Sequence, residues 1–412
     1  MFPSPIRALA LPALTLFWAF AAMASNQYHT LVLELEHRYS PHAIGMAVSL
    51  GAFSQIALPW LVLLLERRIR HPDRILRRAY LLLAISLAVF PLVRGHALSL
   101  IAYCGIVCGI NTAAALQSLA ILAVARPWGD QWVLLLRSMG TFGFAASCLL
   151  SSFCAPKLDY PGMYAIFAIF ALAAFVTSKW SRPQMPELVR TAHFRTLWKS
   201  LREPGTLDLL LGVALANLAV TGATSVISNF IHDEIGAGKA QISIAWTIAT
   251  FCEMPLIWSS IFFLRRFGVK GLILSGIITS TVRMGLLFLV HRLCGLYLVQ
   301  ILHGLFFGAT LSGIGIYLDQ RYGRSAAHSL QLAAQSFYGG IAATMGGFFT
   351  GWIWSWSSLR MVYLAAFVAL AIALLWIALR VPAAIKAQAL SSSCDPDQKG
   401  APHTGRDYCK PQ

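Results

Sequence analysis

Three ionisable side chains, Glu253, Arg283 and His303, interrupt three consecutive apolar stretches of this 412-residue chain. Counting at about 1.5 Å of helical rise per residue places all three near the middle of a bilayer. A charge at that depth costs at least ~2.5–3.5 kcal/mol on insertion scales, so each should face a cavity or a partner. Glu253 and Arg283 make the natural ion pair. A carboxylic acid in a partly dry cavity holds its proton more tightly, and an adjacent guanidinium loosens it. A change in the Glu253–Arg283 distance therefore changes proton affinity, which is a mechanism for proton coupling. His303 can join the relay because its unperturbed pKa lies near neutrality. The plainer reading is a fixed ion pair that locks two helices, with His303 hydrogen-bonding across them.

Other polar side chains suit a solute. Gln300 shares a helix face with His303 at i, i+3. Gln331, Gln335 and Tyr338 form a stripe at i, i+4, i+7, and amides with a phenol fit hydroxylated or heterocyclic molecules. Arg137 reads either as a clamp for a carboxylate, phosphate or hydroxyl, or as an interfacial charge. Asn111, Gln117 and Asn217 are candidates for the site or for bonds between helices. Asn26, Gln27, Tyr28 and His29 are candidates for an outer cavity or an interfacial anchor. Gly347-x-x-x-Gly351 is a close-packing surface over which helices can slide. The eight cysteines show no Cys-x-x-Cys pair, and Cys104 and Cys108 lack His or carboxylate partners for a metal. No Gly-x-x-x-x-Gly-Lys-Ser/Thr, His-Glu-x-x-His or Gly-x-Ser-x-Gly occurs. An enzyme is not expected, nor a cofactor.

The elements that hold these residues follow from composition. The chain is 58% hydrophobic and 12% charged, against about 25% charged in a soluble domain, so its apolar surface must face lipid. Twelve stretches can cross a bilayer: 6–33, 41–65, 79–93, 97–124, 132–155, 161–178, 207–231, 240–264, 271–290, 293–318, 325–352 and 358–379. An all-α membrane protein follows, with a six-helix half over 1–180, a linker over 181–206, a second six-helix half over 207–382 and a polar, disordered tail over 383–412. The net charge of +16 reads as topology and lipid contact, not nucleic acid. Basic residues crowd one set of links: Arg67, Arg68, Arg70, Arg74, Arg77 and Arg78, then Lys179 to Arg202, then Arg265, Arg266 and Lys270, then Arg321 and Arg324. That bias makes both termini cytoplasmic. The first stretch reads as an uncleaved helix in preference to a signal peptide.

Arg67-Arg68 after the second stretch and Arg265-Arg266 after the eighth indicate two related halves. With twelve spans and a basic central link, the chain resembles the major facilitator superfamily. Arg137-Ser138-Met139-Gly140-Thr141-Phe142-Gly143-Phe144 resembles the fifth-span motif of nucleoside–proton symporters and phenylpropionate permeases, in the wider lactose permease group. Ser312-Gly313 through Asp319, Ser329-Leu330-Gln331 and Gly346-Gly347 through Gly351 follow the same families. The resemblance implies that Arg137, Thr141, Phe144 and Glu253 face the solute. Phe306 stands where lactose permease carries an acid, and Gly304 and Gly308 where nucleoside symporters carry aromatics. The expectation is a monomeric secondary transporter of a bacterial inner membrane, moving a small organic solute with protons. A nucleoside-like solute ranks first. An aromatic acid, a sugar, export and a transport-inactive sensor are the alternatives.

Overall fold

Inside a bilayer the backbone finds no water, so each apolar stretch must satisfy its own amides as helix. The structure, a computed structural model, describes residues 5–65, 72–181, 194–323, 330–331 and 333–382. Among them there is no strand. The first span is α1 (Pro5–Met23), a 3-10 turn (Ala24–Gln27) and α2 (His29–Leu35). Spans two to six are α3 (Pro41–Leu65), α4 (Pro72–Val89), α5 (His96–Ala125), α6 (Asp130–Cys154) and α7 (Tyr160–Ser181). A short helix, α8 (Phe194–Leu201), lies in the linker. The seventh span is α9 (Thr206–Ser225) with α10 (Ile227–Asp233), and α11 (Lys239–Leu289) carries the eighth and ninth. The tenth is α12 (Leu293–Gln300), a π-helical turn (Phe306–Leu311) and α13 (Ser312–Tyr322). The eleventh contains a second π turn (Ser336–Ile341) and α14 (Ala342–Trp356); the twelfth is α15 (Leu359–Arg380).

Two expectations are corrected. The third span starts at Pro72, not 79, because its basic first turns are helical and Arg77 pairs with Asp73 at 2.7 Å. Between spans eight and nine, Arg265, Arg266 and Phe267 continue the helix, and the chain bends only at Gly268, whose φ of 68° favours a residue without a Cβ. The described end of the linker packs on the second half: Tyr322 donates to the Ser200 carbonyl at 2.9 Å, and Arg321 lies 3.5 Å from Glu203. Arg67, Arg68, Arg70, linker residues 182–193 with Arg182 and Arg190, Arg324 and the tail lie outside the described residues.

The two halves repeat. Tyr28 and Val226 are 198 residues apart, and each opens a seven-residue helix after a break. Pro41 and Lys239, which start the second and eighth spans, keep the same interval, as do Arg67 and Arg265. The halves meet along two seams, span two on span eleven and span five on span eight. Glycines allow the first seam: a Cβ on Gly45 would stand 2.5 Å from the Cα of Gly351. At the end of the bundle opposite the termini, hydrogen bonds cluster between the halves. Thr30 donates to the Ser225 carbonyl (2.8 Å), Asn229 to Glu34 (2.5 Å), and Lys239 to the Leu158 carbonyl (2.6 Å). Tyr28 and Ser243 share a short hydrogen bond there, and Ser49 donates to the Thr344 carbonyl at 2.8 Å. Ile6, Phe53, Ile101, Phe153, Leu298 and Leu379 are exposed outward, as lipid-facing residues should be.

Candidate functional site

Glu253 lies midway along the eighth span, half-buried, two residues before Pro255. Proline has no N–H, so one bond of the helical ladder is missing beside the carboxylate. The tenth span crosses closely at this point. A Cβ on Gly304 would stand 2.5 Å from the Cα of Glu253, so only glycine lets the helices meet. The positive charge that reaches Glu253 is that of Arg137, on α6 in the other half. Arg137 is exposed and also acts electrostatically on Tyr338 of the eleventh span. It therefore projects into the space between the halves, not into lipid.

The fifth-span motif now has a mechanical explanation. Gly140 and Gly143 pack against Phe20 and Phe17 of the first span, where a Cβ would collide. Arg137, Thr141 and Phe144 are spaced i, i+4, i+7 and occupy a different face of the helix. Phe144 meets Trp246 of the eighth span with ring centroids 6.1 Å apart. Trp246 in turn meets His303 edge-on at 5.5 Å. An aromatic link thus runs across the seam into the second half.

Arg283 does not pair with Glu253. Among the described residues its guanidinium donates to Gln300 Oε1 at 2.9 Å and forms no ion pair. It is 2% exposed, and Gln300 is 1% exposed. It is also not central: α11 ends at Leu289, six residues on, or about 9 Å of rise. His303 and the Tyr363 phenol are within electrostatic reach of Arg283. The i, i+3 relation of Gln300 and His303 is tighter than an α-helix gives, because His303 N–H bonds to the Gln300 carbonyl at 3.1 Å. Phe306 is fully buried.

The stripe on the eleventh span divides. Gln331 and Gln335 are exposed, with Gln331 beside Gly315 of the tenth span. Tyr338 falls in the π turn, whose wider pitch carries it into the interior, where its carbonyl accepts from Asn217 at 2.8 Å. Two other amides also bridge helices: Asn111 donates to Ser54 and Gln117 to Tyr80, each at 2.7 Å. His29 bonds Ser25 at 3.1 Å, Tyr28 belongs to the seal, Gln27 is fully buried and Asn26 is exposed. Sequence reasoning passed over Trp246 and Gln55. The 198-residue interval would have pointed to Gln55, because it maps that residue onto Glu253. No group of His, Cys, Asp or Glu among the described residues could hold a metal ion.

Twelve spans in two repeated halves, with polar side chains turned toward the space between them, define a membrane transporter and not an enzyme. Residues 13–365 match the family described as MFS_1 like family, and the chain belongs to it. Among solved structures, the chain is similar to the nucleoside transporter NupG (TM-score 0.73, 15% identity, covering 90% of this chain and 98% of that one). A point mutant of NupG aligns at a TM-score of 0.77 and 14% identity, covering 90% and 99%. A D-xylose-proton symporter aligns at 0.71 and 17% identity, covering 93% and 100%. No protein of curated function matches the sequence.

Proposed function

We propose that this chain is a proton-coupled symporter that carries a small organic solute, nucleoside-like first, by alternating access between its halves. Arg137 facing Glu253 across the fifth–eighth seam carries this reading. A carboxylate and a guanidinium on opposite halves change separation whenever the halves rock, so proton affinity and conformation are linked. Glu253 exchanges the proton. Arg137 holds the solute and tunes Glu253, and Thr141 and Phe144 line the same face. Arg283 acts one layer out: through Gln300 it fixes the turn that bears His303. Gln331 and Gln335 supply hydrogen bonds, and Tyr338 closes the wall. The chain works as a monomer in a bacterial inner membrane with both termini cytoplasmic. Its four segments are the halves over 1–180 and 207–382, the linker and the tail. The likeness to solved nucleoside and xylose transporters supports the fold only, at 14–17% identity.

The test is uptake into proteoliposomes under an inward proton gradient, offering labelled uridine, phenylpropionate and a disaccharide. Accumulation of uridine that a protonophore collapses is expected. Accumulation of another probe would move the solute class and keep the coupling. Accumulation of none, in folded protein, would refute uptake.

A further inference from the structure

Several amides in the spans are occupied. Asn111, Gln117, Asn217, Asn229 and Gln300 each bond to the protein. Gln55 and Gln335, like the buried Gln27 and the exposed Gln331, have no protein hydrogen-bond partner for the side-chain amide among the described residues, and neither of the two is buried. They are also brought together. Around the point where a Cβ on Gly339 would stand, Gln335 Cγ lies at 3.4 Å and Gln55 Oε1 at 3.6 Å. Gly339 has no side chain, so both amides fit over it. An amide left unpaired against hydrocarbon is expensive, so two of them at one point on a seam belong to a wet face. Tyr338, which precedes Gly339 in the chain, is within electrostatic reach of Arg137, so the eleventh span approaches the charged seam one residue away.

The repeat gives this pair its meaning. An interval of 198 residues maps Gln55 onto Glu253 and Arg137 onto Gln335. The second–eleventh seam therefore carries, in neutral form, what the fifth–eighth seam carries as charge. We propose that Gln55 and Gln335 are the second arm of the solute site and bind an uncharged edge with adjacent donor and acceptor groups, as in an imide or a vicinal diol. Each primary amide offers two donors and an acceptor, so a pair can match such an edge at several points. The pair carries no charge of its own to set against an ionised group, so the edge it matches is an uncharged one. Charged or ion-pairing groups of the solute go to Glu253 and Arg137. The assignment rests on the transport reading above, and two measurements separate them.

In a chain with its native cysteines replaced, Gln55→Cys and Gln335→Cys are labelled with a charged, membrane-impermeant thiol reagent. Phe53→Cys, two residues along α3 and exposed on a different face, is the lipid-facing control. Both glutamine positions should react at least about tenfold faster than the control, because only a wet thiol ionises and meets the reagent. Equal rates would overturn the proposal whatever the protein transports. In proteoliposomes, Gln55→Leu should raise KM for uridine about tenfold with the unfolding midpoint unchanged, the loss expected of one hydrogen-bonding arm. Gln55→Asn should recover part of it. An unchanged KM in Gln55→Leu would overturn the proposal while leaving symport intact. Should the wild type take up none of the probes, symport fails and the labelling alone decides the placement of Gln55.

Discussion

Arg283 carries its charge into a place that water does not reach, and there it meets the amide oxygen of Gln300 and no carboxylate. A hydrogen bond from a buried cation is worth about 1.5–3 kcal/mol, so Gln300→Leu should destabilise the protein by roughly that amount. The check is a double-mutant cycle in detergent: Gln300→Leu on an Arg283→Met background should cost much less than on the wild type. Equal costs would mean that the two side chains do not act as a pair. At this scale the sequence showed which residue types interrupt the spans, because an ionisable group in an apolar stretch is visible without a structure. It did not show the partners. Whether Arg283 meets Glu253 or Gln300 depends on helix rotation and depth, and the depth is set by an end at Leu289 that hydropathy does not fix.

At the scale of elements, glycines set how closely the helices approach. Gly304 lies against the Cα of Glu253, and any side chain there must push the tenth span from the eighth. Gly304→Ala should lower stability by about 1–3 kcal/mol, the usual cost of overpacking, and Gly304→Leu should abolish uptake. Thermal midpoints and transport by the two variants check this; full uptake by Gly304→Leu would contradict the crossing. Gly45 and Gly351 play a comparable part where spans two and eleven close the end opposite the termini. Gly351→Trp should hold that end open and raise labelling of a cysteine placed at Thr344, with little change in expression. The helices themselves were legible from length and apolarity. The π turns at Phe306–Leu311 and Ser336–Ile341 were not, because a 3.6-residue period was assumed throughout. That is why Tyr338 left the stripe that Gln331 and Gln335 keep.

For the whole molecule, the 198-residue repeat organises both the fold and the site. It aligns the breaks after Tyr28 and Val226, and it sets a charged seam opposite a neutral one. The Arg67 and Arg265 motifs already showed this interval in the sequence, whereas the closed end did not, since it depends on which half-to-half contacts form. Asn229 donates to Glu34 across that end, so Asn229→Ala should weaken the seal by the roughly 1.5–3 kcal/mol of a charge-assisted hydrogen bond. Faster labelling at positions behind the seal is the expected result, and unchanged labelling would show that Glu34 contributes nothing to closure. The most direct test of the proposed coupling compares two assays on Glu253→Gln in proteoliposomes. Gradient-driven accumulation of solute should be lost, while exchange of labelled for unlabelled solute at equal concentrations should persist, because exchange needs no net proton movement. Full accumulation in Glu253→Gln would contradict the assignment of the proton to Glu253.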